Sequence, residues 1–84
     1  MKLFKIRLLC GTEGLYETEM EMARQPFHAA EAVKLLLDAF GDDGRLMHQD
    51  IDRVQVADYP LKHSAVIQCE IIGVPSTALV MPIN

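Results

Sequence analysis

The sequence is poor in the residues and motifs that build most catalytic and cofactor sites. It has no tryptophan, two tyrosines, three phenylalanines and two cysteines. It lacks a P-loop, a dinucleotide-binding glycine motif, a zinc-type Cys/His spacing and a nucleophile elbow. We therefore expect no cofactor and no catalytic residue, and we favour a protein without catalytic activity while leaving a minimal enzyme as an alternative.

Cysteine is too scarce and too scattered for a disulfide framework. Cys10 and Cys69 stand far apart, and two isolated cysteines form neither such a framework nor a CxxC redox motif. A thiol nucleophile would need a nearby base, and nothing in the sequence fixes the distance from either cysteine to a histidine. Together with an N-terminus that carries charges inside its apolar run, unlike a signal peptide, this predicts reduced thiols and a cytoplasmic protein.

Positive charge and long apolar runs are also lacking. Eight Lys and Arg residues face twelve Asp and Glu residues, for a net charge of −4. Nucleic-acid binding depends on neutralising phosphates with basic side chains, so a role on DNA or RNA is disfavoured. No apolar stretch reaches the roughly 18–20 residues that a membrane span needs, so no membrane association is expected.

Apolar residues are abundant instead. They make up 50% of the chain, although a domain of 84 residues buries only about 60–65% of its unfolded surface. Burying the excess between two copies is the simplest solution. The composition therefore favours a homodimer.

One segment has a clear helical period. Ala29, Val33, Leu36 and Phe40 share a face, which predicts a helix over about residues 28–40 that ends at a left-handed Gly41. Leu and Ala residues on both sides of this stripe widen the apolar arc beyond what a surface helix needs. We expect either the sheet or a second molecule to cover the arc, with Leu35 and Leu37 as interface candidates.

The first two strands are predicted to form a hairpin. Residues 2–10 and 16–24 alternate between apolar and charged positions, and the glycines of segment 11–14 suit a turn. We expect Ile6 opposite Met20, and Arg7 opposite Glu19 on the outer face, where opposite charges stabilise the pair.

Three further strands are predicted after the helix, over residues 52–58, 64–74 and 77–81. The prolines around the last strand indicate an edge position, which makes its Leu79 and Met81 interface candidates. The whole chain, residues 1–84, is thus expected to be one α+β domain. Its order is β-β-α-β-β-β, with a single helix packed on a mostly antiparallel sheet.

Two polar clusters are weak site candidates. His48, Asp50 and Asp52 would project on one side of a strand, as metal ligands can, although a solvated strand entry is the favoured interpretation. An alternative pocket between helix and sheet would be lined by the residues Tyr16, Tyr59 and His63.

Three function classes follow. The favoured one is a small, non-catalytic protein-interaction module, homodimeric or binding a partner through an edge strand or the helix flank. The alternative is a small-molecule-binding domain or minimal enzyme with a pocket between helix and sheet. The third is a nucleic-acid-associated regulator. A hairpin followed by an Ala/Leu-rich helix is common in small prokaryotic proteins, and it carries no family-specific residue.

Overall fold

The computed structural model describes residues 1–12 and 14–83, without the side chain of Asp43. It contains five strands and one α-helix: β1 Lys2–Cys10, β2 Leu15–Met22, α1 Ala29–Phe40, β3 Ile51–Tyr59, β4 Ser64–Ile71 and β5 Val74–Pro82. Short 3₁₀ turns lie at Asp42–Gly44, His48–Asp50 and Pro60–Lys62. The predicted α+β class and element order are confirmed.

The five strands form one antiparallel sheet in the order β2-β1-β5-β4-β3. The last strand, β5, therefore lies in the centre, and the predicted edge position is wrong. Pro75 and Pro82 occupy the ends of β5, where a missing backbone N–H disturbs the ladder least. The true edges of the sheet are β2 and β3.

The first hairpin has the predicted faces but a different register. Phe4 lies opposite Met20, and Arg7 lies opposite Glu17, two residues away from the expected partners. A shift by two residues leaves every side chain on its own face. The Cys10 N–H donates to the Gly14 carbonyl oxygen at 3.4 Å, which closes a tighter loop than the expected pairing allows. Residue 13 of the predicted turn lies outside the described residues.

The core lies between α1 and one face of the sheet. From the helix, Ala32, Leu35 and Leu36 are buried against inward-facing residues of the sheet, which are buried in β1, β3, β4 and β5 and only partly buried in β2. Val33, Leu37 and Phe40 pack partly against the same cluster. The fully buried strand residues are Phe4, Ile6, Ile67, Ala78 and Val80.

Gly41 follows the helix because of a close backbone contact and not because it adopts a left-handed conformation. Gly41 has a φ of −90°, so the predicted left-handed conformation is wrong, and its N–H donates to the Leu37 carbonyl oxygen at 2.8 Å. A Cβ at this position would clash with that same oxygen. The left-handed glycine comes later, at Gly44, with a φ of +70°.

The start of the helix is held by a network of polar contacts. Arg24 binds Glu31 through two hydrogen bonds of 2.6 and 3.1 Å, and its guanidinium lies 3.7 Å from the centre of the Phe27 ring. Glu31 also accepts the Phe27 N–H, in place of the Ser, Thr, Asp or Asn cap that the sequence lacks. The buried Gln25 donates to the Asp58 carboxylate at 2.7 Å and so ties this segment to β3.

Candidate interaction surfaces

The helix covers only one side of the sheet. A helix is about 10 Å wide, whereas five strands span roughly 24 Å. Within the described residues, no other helix or strand packs on the opposite side, which we call the open face. Its apolar residues are Leu3, Leu9, Leu15, Tyr59, Val66, Leu79 and Met81.

The centre of the open face is apolar. Leu79 lies on the central strand, between Arg7 of β1 and Val66 of β4. Met81 is the next outward residue on the same strand, opposite Lys5. All three apolar side chains, those of Val66, Leu79 and Met81, are only partly buried. A continuous apolar patch therefore occupies the middle of this face.

The charges beside this patch compensate one another. Arg7 forms an ion pair with Glu17, with an Nε–Oε1 distance of 2.8 Å, and Lys5 lies opposite Glu19. The charges next to the patch are therefore compensated, whereas Glu21, Asp52 and Glu70 on the two edge regions give the open face as a whole an excess of negative charge.

A second surface is a groove between the helix and the edge strand β3, which we call the α1–β3 groove. Its volume is about 600 Å³. The helix contributes small or aliphatic side chains, and β3 contributes Ile51 and Val54. Charged residues and one histidine line its rim. The helical apolar residues of the groove are Ala29, Ala30, Val33 and Leu37, and the polar residues are Lys34, Asp38, His48, Asp52 and Arg53.

His48, Asp50 and Asp52, the candidate metal ligands, are not grouped as a metal site in the described structure. His48 and Asp50 lie in a 3₁₀ turn, so the strand alternation that would align the three side chains is absent. The Asp50 carboxylate accepts the Met47 N–H at 2.9 Å, and the Asp52 carboxylate accepts the Arg53 N–H at 2.8 Å. Across residues 1–12 and 14–83, no three His, Cys, Asp or Glu residues are grouped to hold a metal ion.

Tyr16, Tyr59 and His63 do not line a common pocket. Tyr16 pairs with Leu8 on the helix side of the sheet, at the end nearest the first hairpin turn. Tyr59 lies on the open face, at the end of β3 next to Ser64. His63 is in the following turn with a φ of +51°. Tyr16 is thus at the opposite end of the sheet from Tyr59 and His63, and on the opposite face from Tyr59.

The four interface candidates fall in three different places. Leu35 is only 5% exposed and is covered by its own chain, so it is unavailable to a partner. Leu37 is partly buried and lines the α1–β3 groove. Leu79 and Met81 lie at the centre of the open face and not on a sheet edge.

The two thiols are free, and Cys69 is poorly suited to act as a nucleophile. Cys10 and Cys69 both lie opposite Ser76, on either side of β5. Burial raises the pKa of the Cys69 thiol, and the neighbouring Cys10 raises it further. Because the thiolate is the reactive form, a raised pKa makes Cys69 less reactive. The Ser76 hydroxyl donates to the Val74 carbonyl oxygen at 3.0 Å.

The open face is the feature that reasoning from the sequence missed. The signal was present, because Leu3, Leu9, Leu79 and Met81 alternate with buried residues in strands that were correctly located. An edge position for the last strand would separate its Leu79 and Met81 from the residues of the central strands, so the edge prediction concealed the shared surface.

In comparisons with known proteins, no family model, no curated protein and no solved structure matches this chain. Among the described residues, the single α-helix is too short to cross a bilayer.

Proposed function

We propose that this protein is a small, non-catalytic interaction module that works as a homodimer, with the open faces of two copies packed against each other. The observation that carries the proposal is the apolar centre of that face, formed by Val66, Leu79 and Met81 without a covering element among the described residues. Two such faces would form a sheet-on-sheet core, which is a common packing of antiparallel sheets.

The size of the open face suits a dimer. Five strands of about eight residues make a face of roughly 24 by 25 Å, or about 600 Å² before side-chain relief is counted. A standard interface buries about 800 Å² of accessible surface on each partner. The chain exposes 5428 Å², compared with about 5,000 Å² expected for a monomer of its mass. The chain thus exposes about 400 Å² more than the average monomer of this mass.

Charge compensation also supports a second copy as the occupant. Two chains with a net charge of −4 each repel one another at long range. The pairing of Arg7 with Glu17 and the position of Lys5 opposite Glu19 compensate the charges next to the apolar centre, while Glu21 and Asp52 lie on the edge strands at the margins of the face.

The test is the mass of two matched variants in solution. Leu79→Lys puts a charge at the centre of the open face, whereas Leu61→Lys makes the same change in a turn, at a side chain that is 98% exposed. At about 100 µM, light scattering after size exclusion should give a dimer for the wild type and for Leu61→Lys, and a folded monomer for Leu79→Lys. A Leu79→Lys variant that dimerises as well as the wild type contradicts the proposal.

A small-molecule-binding role is the second candidate, and the observation that favours it is the α1–β3 groove. Its volume of about 600 Å³ is in the range of ligand pockets. Thermal shift against a panel of metabolites and metals tests this candidate.

We also propose a cytoplasmic location, which the two free thiols support.

A further inference from the structure

The charged side chains of the open face are distributed unevenly about its central strand. Three neighbouring rows of residues cross the middle of the face, and they pass through Thr77, Leu79 and Met81 of β5. On the side of β1 and β2, which we call the charged half, these rows contain Lys5, Arg7, Glu17 and Glu19 together with Leu9 and Leu15. On the side of β4 and β3, which we call the uncharged half, they contain Ser64, Val66, Gln68, Gln55, Ala57 and Tyr59. The acidic residues outside the three rows, nearer the strand ends, are Glu21, Asp52 and Glu70.

Two arrangements can bring two open faces together with their strands aligned. Homodimers usually have a twofold axis, and face-to-face sheets pack with their strands within about 30° of each other unless strands continue from one sheet into the other. For the two faces to overlap fully, the axis must pass between the sheets near Leu79, at the centre of the face. An axis along β5 places β1 over the partner's β4 and β2 over the partner's β3. An axis across the strands places every strand over its own copy.

The charged half distinguishes the two arrangements. With the axis across the strands, Arg7 lies over the partner's Arg7, and Glu17 lies over the partner's Glu17. Like charges would then face each other where water is excluded and their repulsion is strongest. With the axis along β5, Arg7 lies over the partner's Val66, and Glu17 lies over the partner's Ala57. Each charged half then meets an uncharged half, and each Arg7–Glu17 ion pair of 2.8 Å stays within its own chain.

We infer that the twofold axis of the homodimer runs along β5, so that the charged half of each open face packs on the uncharged half of its partner. This inference rests on the proposed homodimer and specifies its arrangement. Leu79 and Met81 then meet their own copies along the axis and form the apolar core of the interface with Val66. Ala57 is small and exposed, which leaves room for the partner's ion pair.

Opposite charges introduced at Ala57 give the first test. In the inferred arrangement this residue faces the acidic strand β2 of the partner, where Glu17 is nearest. Ala57→Lys should therefore dimerise at least about tenfold more tightly than Ala57→Glu, as measured by sedimentation equilibrium. With the axis across the strands, residue 57 would face its own copy, and self-repulsion would weaken both variants to a similar extent.

The control for this test is the same pair of substitutions at Ala30. Net charge alone favours a lysine variant, because two copies with fewer negative charges repel each other less. Ala30 is an exposed residue of the helix, on the other side of the sheet from the open face, so Ala30→Lys and Ala30→Glu measure the effect of net charge alone. Their dissociation constants should differ by less than about twofold. The NMR spectrum of each variant verifies its fold.

The wild-type dimer gives an independent test that needs no substitution. In a mixture of isotope-labelled and unlabelled chains, filtered NOE spectra detect only contacts between copies. The inferred axis predicts contacts from the Val66 methyl groups to the partner's Arg7, and from the Met81 methyl group to its own copy. The other axis predicts contacts from Val66 to its own copy, and from Met81 to the partner's Thr77. Within one chain, Val66 and Arg7 lie on strands about 10 Å apart, on either side of β5.

The results separate the inferred axis from the homodimer itself. A dimer whose Ala57 variants differ no more than its Ala30 variants, or whose Val66 methyl groups contact their own copy, overturns the axis and leaves the homodimer standing. A wild-type chain that stays monomeric at about 100 µM contradicts the homodimer, and the axis fails with it. Contacts between copies that lie only on the helix side of the sheet would also overturn both.

Discussion

At the scale of single residues, the clearest conflict between sequence and structure is Ile72. Together with Gly73 it forms the two-residue turn between β4 and β5, with φ angles of +50° and +77°. Such turns favour Asn-Gly, because both residues are left-handed. A β-branched side chain in this conformation costs about 1–2 kcal/mol, and that of Ile72 is 70% exposed. The run of aliphatic residues hid this turn, which is why the strand was predicted to continue to residue 74.

Replacing Ile72 should therefore stabilise the protein. We expect Ile72→Asn to raise the free energy of unfolding by about 1 kcal/mol, because asparagine tolerates the left-handed conformation. The Ile72 N–H, which donates to the Asp50 carbonyl oxygen at 2.8 Å, is kept in the variant. Urea denaturation measures the change, and Ile72→Val is the control that retains the strain. An equal stability of the two variants would contradict this account of the turn.

Gly41 gives a prediction of the opposite sign. Gly41→Ala should lower the free energy of unfolding by roughly 1–3 kcal/mol, because the new Cβ clashes with the Leu37 carbonyl oxygen. The control is Gly44→Asn, since Gly44 has no neighbour within 4 Å of a Cβ and asparagine accepts its positive φ. Chemical denaturation of both variants should separate them, and a Gly41→Ala protein as stable as the wild type would disprove the clash.

At the scale of elements, the sequence predicts where the periodic helix and strands lie, but it does not predict which strands pair with one another or in which register. The helix and the first strand were located within one residue, because alternation and the helical period are local properties. The position of β5 depends on which strands it pairs with, and the prolines at its ends gave the wrong answer. The register of the first hairpin failed for a related reason, since a shift by two residues preserves both faces.

The start of the helix supplies a prediction about pH. The pKa of Glu31 is lowered from its ordinary value of 4.5, first by the hydrogen bond from Arg24 and then by the Phe27 N–H. A carboxyl group with a lowered folded pKa stabilises the fold above its unfolded pKa and loses this effect as pH falls through the folded pKa. We therefore expect Glu31→Gln to be less stable than the wild type at neutral pH.

The difference between Glu31→Gln and the wild type should shrink as pH falls below about 4.5. Urea denaturation from pH 7 to pH 3 measures it. Glu19→Gln, a change on the exposed edge strand β2, is the control and should follow the wild type more closely across that range. A Glu31→Gln difference that stays constant over the whole range would show that the carboxylate charge does not matter at the helix start.

At the scale of the whole molecule, the apolar composition is the basis of the homodimer hypothesis, which stays a prediction. Half of the residues are apolar, and the structure buries the helix side of the sheet while the open face retains Leu79, Met81 and Val66. The pocket candidates Tyr16 and Tyr59 depended on side chains converging from distant segments, whereas the metal candidates around His48 depended on a strand alternation that a 3₁₀ turn replaces. Local patterns do not encode such convergence, and it did not occur.

Sedimentation equilibrium of the unmodified chain over a wide concentration range tests the central claim most directly. Packing of two open faces predicts that the mass rises from 9.4 kDa at high dilution to twice that value at about 100 µM, with no larger species. A mass that stays at 9.4 kDa throughout would show that the open face does not bind a second copy.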